Sequence, residues 1–163
     1  MGCGNANIEL KDESNILPRI IYNHNTNLVL HYHNIFREKH NTEKLTFSTE
    51  LYLKAKSKLL QMEKNNFNYN SIDDDDDDND IGENLFITEK NKDIDIIIKE
   101  ACETWYNEKN NYNFNLNQYQ KETGHFTQMI WKNTKEIGSG YLEDKNGQAY
   151  FLVLYSPIGN EMF

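Results

Sequence analysis

The sequence predicts an α/β domain. Three segments carry apolar residues at helical spacing, and the C-terminal stretch alternates around a turn as a β-hairpin does. The third helical segment is apolar over a wide arc, which suits a helix packed against a sheet. At 163 residues there is room for one domain with a real core and a tail.

The elements follow in chain order. Residues 1–26 are polar and lack clear periodicity, so they read as a tail with a short ordered piece around Ile16–Tyr22. A helix is predicted from about Leu28 to Lys39, with Val29, Tyr32, Ile35 and Phe36 on its inner side. Ser48 or Thr49 caps a second helix, helped by Glu50 in its first turn, and Leu51, Ala55, Leu59 and Met62 form its stripe. From Asn65 to Asp80 the chain turns to Asn and Asp, which cannot bury apolar surface and therefore form a solvated loop or insertion. The third helix spans about Lys92 to Lys109, with Ile94, Ile97, Ile98, Ala101, Cys102 and Trp105 facing inward. A short helix includes His125–Trp131. Ile137–Glu143 and Ala149–Tyr155 pair across a turn at Lys145-Asn146-Gly147, and Pro157 and Gly159 end the last strand.

Net charge is −9, but seven of the 26 acidic residues are Asp73–Asp78 and Asp80; set aside, 17 basic residues face 19 acidic ones. No broad basic face is available for nucleic acid, and an anionic bilayer finds little overall charge to attract it. The acidic run is not an EF-hand. Counted from Asp76, the sixth and twelfth positions are Ile81 and Ile87; counted from Asp77, they are Gly82 and Thr88. Neither register has both the turn glycine and the closing Glu.

The two cysteines, Cys3 and Cys102, are placed so that no disulfide framework is expected, which points to a reducing compartment. No apolar run reaches transmembrane length, and the N-terminus lacks the basic-then-apolar layout of a signal peptide. Met1-Gly2-Cys3 instead offers Gly2 for myristate and Cys3 for palmitate, although Ala6 departs from the preferred Ser or Thr. One myristoyl chain binds a bilayer only marginally, and Lys11 and Arg19 make no polybasic patch, so Cys3 would supply the second anchor. This predicts the cytosolic face of a Golgi, endomembrane or plasma membrane; a start codon upstream of Met1 would instead suit a secreted protein.

Several separated segments together resemble one family. His33-Asn34-Ile35-Phe36-Arg37 with Lys39-His40, Gly82-Glu83-Asn84-Leu85, and Trp105-Tyr106-Asn107-Glu108 with Tyr112-Asn113-Phe114 come first. Gly124-His125-Phe126-Thr127-Gln128 with Trp131, then Gly138 and Gly140, and finally Tyr155-Ser156-Pro157-Ile158-Gly159-Asn160 complete the series. Together these resemble the CAP family, also called the SCP or sperm-coating-protein-like family, over about residues 28 to 160. The short, disulfide-poor chain with Gly2 is most similar to its Golgi-associated plant-pathogenesis-related members, which are intracellular, N-myristoylated and lipid-associated.

The resemblance implies a three-layer α/β/α sandwich with a small, largely antiparallel central sheet. It also implies a cleft with two His and two Glu, which binds zinc or another divalent cation in some members. Glu83, Glu108 and His125 correspond to three of the four. No His lies between Asn41 and His125, so Asn70, Tyr69 or a neighbour must stand where the other His belongs.

Three chemistries suit these residues. Glu83, Glu108 and His125 could give zinc an N/O/O set, weakened by the lost imidazole. The two Glu could instead pair with His125 and backbone donors as a structural tie, since a partly buried carboxylate needs partners. Finally, Glu108 or Glu83 could act as a general base with His125 as a second proton carrier. No G-x-S-x-G elbow supports Ser139 or Ser156 as a nucleophile. Trp105, Tyr106, Phe126 and Trp131 are expected as core anchors, and Cys102 as a small buried hydrophobe.

The functional expectation is a non-enzymatic, acylated membrane protein that binds lipid, sterol, a protein partner or a second copy of itself. The alternatives are a divalent-metal hydrolase and an interaction module built on the acidic loop.

Overall fold

The computed structural model describes residues 24–67 and 79–161. Gly2 and Cys3, the tail to residue 23, Tyr69, Asn70 and the run Asp73–Asp78 lie outside the described residues. Four helices are seen among those described: α1 (Thr26–Glu38), α2 (Thr49–Lys64), α3 (Ile94–Asn107) and α4 (Gly124–Met129). The strands are β1 (Thr46–Phe47), β2 (Gly82–Glu89), β3 (Glu136–Glu143) and β4 (Gln148–Ser156). They form one sheet in the order β1-β3-β4-β2; β1 runs parallel to β3, and the other two pairings are antiparallel. No helix among the described residues is long and apolar enough to cross a membrane.

Side-chain alternation along β4 builds the layers. Ala149, Phe151, Val153 and Tyr155 share a core with residues of α1, α3 and α4, while Tyr150, Leu152 and Leu154 pack with α2 on the opposite face. Both faces of the sheet are therefore covered by helices, giving the three-layer α/β/α sandwich. The helix stripes follow from the sequence: Leu51, Ala55, Leu59 and Met62 are the buried residues of α2, and Ser48 caps it by accepting the Leu51 N–H. Asn25 and Asp93 cap α1 and α3 in the same manner. The close fit of α2 on β3 depends on Gly138, where a Cβ would strike the backbone of Leu51 and Tyr52.

Three boundaries differ from the sequence reading. Asp-and-Asn-rich sequence is followed directly by a strand, β2, because polar residues Glu83, Asn84 and Thr88 on its two faces mask the alternation. The helix at His125 ends at Met129, ahead of Trp131. The fold also reaches back to His24, which is buried with Nε2 2.6 Å from Ser139 Oγ, so the tail is shorter than residues 1–26.

On α1 the buried set is Val29, His33, Phe36 and Arg37, two of which are polar. Arg37 is fully buried and spends its guanidinium on backbone carbonyls. Nε donates to Glu43 O (2.6 Å), Nη1 to Met129 O (3.0 Å) and Trp131 O (2.9 Å), and Nη2 to Thr134 O (3.1 Å). Burial lowers its pKa to about 10, so it stays charged at neutral pH. It joins the end of α1 to the segment leaving α4, where carbonyls without a helical partner and the negative end of the helix dipole favour a cation.

Arg37→Ala strands those carbonyls in the interior. It is expected to cost about 3–5 kcal/mol in urea unfolding, with Arg37→Lys recovering only part because an ammonium lacks the planar fork.

Candidate functional site

The first turn of α4 sets the geometry. Thr123 gives this helix no side-chain cap, and Glu108 supplies the missing acceptor from outside. Glu108 opens the short 3-10 turn that continues α3, Glu108–Asn111. Its Oε2 accepts the Phe126 N–H at 3.0 Å, and its Oε1 accepts from His125 Nδ1 at 2.7 Å. A carboxylate at this end of a helix is favoured by the dipole as well as by the hydrogen bond. Since an ionised carboxylate can only accept, Nδ1 of His125 carries the hydrogen. The His125 side chain is 45% exposed, and its ring lies over Trp105 at 6.2 Å between centroids and 20° between planes.

Glu83 stands apart from this pair. In β2 it is registered against Leu154, on the face covered by α2, and its Oε2 makes an ion pair with Lys58 of α2 at 2.6 Å. Asn84, one residue on, is registered against Val153 and points into the other layer. There its Nδ2 donates to His125 O and to Tyr155 Oη, each at 3.1 Å. The structure thus brings Glu108 and His125 together and leaves Glu83 across the sheet. Among the described residues no three of His, Cys, Asp and Glu gather as a metal site would require. With Glu83 neutralised by Lys58 and both Glu108 oxygens turned to N–H donors, the residues present do not fit a three-ligand cation site.

A buried polar chain behind His125 escaped the sequence reading. His33 Nδ1 donates to Val29 O (2.8 Å), so Nε2 is the acceptor and receives the Tyr155 hydroxyl at 2.7 Å. Tyr155 Oη in turn accepts from Asn84. The chain runs His33, Tyr155, Asn84 and then the backbone of His125. Burial lowers the His33 pKa to about 4 and raises that of Tyr155, so both are neutral. The available signal was a polar side chain at an inward position of a helix or strand; His33 follows Val29 by four residues, and Tyr155 ends the apolar run of β4.

Gln128 and Thr127 are also structural. Gln128 is buried, accepting the Gly159 N–H at 2.9 Å and donating to Thr134 Oγ1 at 3.2 Å. Thr127 Oγ1 donates to Asn160 Oδ1 at 2.6 Å, and Asn160 Nδ2 to Gly124 O at 2.8 Å. Burial pushes the Cys102 thiol up, leaving it a protonated core residue.

An α/β/α sandwich whose α4 is held by a Glu–His clasp, a buried arginine and a buried His–Tyr–Asn chain defines a CAP-type domain. The chain belongs to the CAP, or cysteine-rich secretory protein, family, whose profile matches residues 30–156. It is 33% identical over 134 residues to the human (Homo sapiens) Golgi-associated plant pathogenesis-related protein 1, covering 82% of this chain and 83% of that one. Venom allergen 5 of Polistes dominula is 35% identical over 86 residues, 49% of this chain and 37% of the allergen. Schistosoma mansoni venom allergen-like protein 4 shares the fold at a TM-score of 0.62 and 24% identity, over 82% of this chain and 88% of that one.

His33 makes stability depend on pH. Its folded pKa lies below that of a free His, so the unfolded chain takes up the proton first and stability falls as pH drops from about 6.5 toward 4. Urea unfolding is expected to show a loss of about 2–3 kcal/mol between pH 7 and pH 4.5 that is absent in His33→Gln.

Proposed function

We propose that this chain is a non-enzymatic CAP-domain protein held at a membrane surface, where it binds lipid, sterol or a protein partner. One observation carries the non-enzymatic part: Glu108 spends one oxygen on His125 and the other on the Phe126 N–H. A general base needs a lone pair aimed at a substrate or water; this carboxylate is aimed at its own fold. Among the described residues, no hydroxyl or thiol is hydrogen-bonded to His125. The Ser139–His24 pair is sealed in the interior, with exposures of 1% and 4%.

The membrane part is supported by Gly2 and Cys3 at the N-terminus and by a relative whose name associates it with the Golgi. Two acyl chains would supply the anchoring that one cannot. The location that suits this reading is the cytosolic face of an endomembrane.

Replacing Gly2 by Ala is expected to move the protein from the membrane pellet to the soluble fraction on cell fractionation. A wild-type protein that carries no acyl chain and is already soluble would overturn the anchoring. For the cleft, Glu108→Gln should lower stability by about 1–2 kcal/mol, the scale of a weakened charged hydrogen bond. Hydrolysis of a peptide or ester by the wild type that disappears in this variant would sink the non-enzymatic reading.

A further inference from the structure

We propose that residues 19–23, the chain immediately upstream of His24, lie extended along the open edge of β3, antiparallel to it, and close the groove between that edge and α2. The contact goes beyond the membrane reading and holds whether or not Gly2 is acylated.

The edge is defined by where β1 stops. β1 meets β3 only at Glu136 and Ile137. Thr46 N–H donates to Lys135 O (3.0 Å) and Ser48 N–H to Ile137 O (2.8 Å), after which the chain turns into α2. Backbone groups alternate sides along a strand, so Ser139 and Tyr141, in step with Ile137, also turn N–H and C=O away from β4. Among the described residues no strand or loop backbone pairs with them on that side. Both residues are nonetheless buried, at 1% and 0% exposure. Buried backbone groups are almost always hydrogen-bonded, so this edge calls for a further segment of backbone.

The position of His24 selects the segment. Its Nε2 is 2.6 Å from Ser139 Oγ and its ring centre 6.0 Å from that of Tyr52, so the chain enters the fold at the first open position of the edge. β1 occupies the edge before that point, and the upstream chain has one way to run along it, toward Glu143 and opposite to β3. At about 3.3 Å per residue, residues 19–23 span about 16 Å, the same as residues 139–143. Pro18, which cannot join the interior of a ladder, falls where the edge ends. Ile20, Ile21 and Tyr22 are β-branched or aromatic, as strands favour.

One flank of α2 makes the wall of the groove. Gly138 lies under Leu51 and Tyr52, and Gly140 under Ala55 and Leu59, so α2 advances in the same direction as β3. Lys58 leaves the helix toward Glu83 of β2, at the far side of the sheet. Tyr52, Lys56 and Leu60, at four-residue spacing, therefore flank the open side of β3. Lys56 Nζ lies over the Tyr52 ring at 5.3 Å, and Leu60 stands 37% exposed. Leu60 is about 12 Å along the helix from Tyr52, and Ile21 about 10 Å along an extended chain from His24, which brings the two side by side.

The test is amide hydrogen exchange, read by NMR, on the full chain and on a variant lacking residues 2–22. Truncation should speed exchange at Ser139 and Tyr141 about tenfold, the loss of one backbone hydrogen bond each, and leave Gly140 and Leu142 unchanged because their N–H groups face β4. A second variant keeps the segment in place. Ile21→Cys with Leu60→Cys, in a Cys3→Ser background, should close a disulfide within the monomer on mild oxidation, faster than Ile8→Cys with Leu60→Cys does. If the truncated chain exchanges fast throughout, it has unfolded, and the crosslink decides. Unchanged exchange at Ser139 and Tyr141 in a folded truncated chain, or a crosslink no faster than that of Ile8→Cys, would overturn the inference. So would a disulfide formed only between chains of a dimer, which would give the edge to a second copy.

Discussion

A buried guanidinium hydrogen-bonded to four backbone carbonyls is the constraint on which this fold turns. Arg37 is the fourth member of α1's inward stripe, and an interior Arg is costly unless its donors are satisfied. Here they are satisfied by carbonyls of Glu43, Met129, Trp131 and Thr134. Such carbonyls belong to chain that has left regular structure, and they would otherwise be orphaned under α1. The cation and the irregular segment therefore require each other. The path from α4 to β3 is fixed by that exchange, more than by the propensity of a six-residue helix that is too short to stand alone.

With one end of α4 fastened by Arg37, the other is fastened by Glu108, and the middle by Gln128 and Thr127. His125 is consequently placed from three directions: its imidazole by Glu108, its carbonyl by Asn84, and the following N–H by Glu108 again. The buried chain through Tyr155 to His33 extends this order from the cleft to α1. The residues that carry the family resemblance are thus largely the residues that close this circuit. Their chemistry is polar because the joints they make are between backbone groups of loops, where an apolar side chain would leave donors and acceptors unpaired.

What could be read in advance divides along the same line. The stripes of α2 and α3, the hairpin and the Ser48 cap were legible because apolar periodicity and capping are local rules. So were Trp105, Phe126 and Cys102 as core. Arg37 and His33 were visible only as motif letters, since periodicity counts an inward polar residue as a break in the stripe. Strand β2 was hidden because Glu83 and Asn84 put polar groups on both faces. Glu108 and His125 were placed in one cleft only through the family resemblance, because their pairing joins residues far apart in sequence and no spacing rule encodes it. Lys58 as the partner of Glu83 was equally out of reach, lying in another layer's helix.

The separation of Glu83 from His125 follows from strand geometry. Adjacent residues of β2 must face opposite layers, so only one of Glu83 and Asn84 can look toward α4. The register that places Asn84 between Tyr155 and the His125 carbonyl necessarily turns Glu83 to α2, where Lys58 holds it. A one-residue slip would bring the second carboxylate toward His125, but it would break the Asn84 bridge, strand Tyr155 and expose the apolar face of β2. Holding α4 through Asn84 and recruiting Glu83 beside His125 are therefore competing uses of one strand. This chain makes the first use of the strand, and its Glu–His pair acts there as a joint of the scaffold between the end of α3 and the first turn of α4.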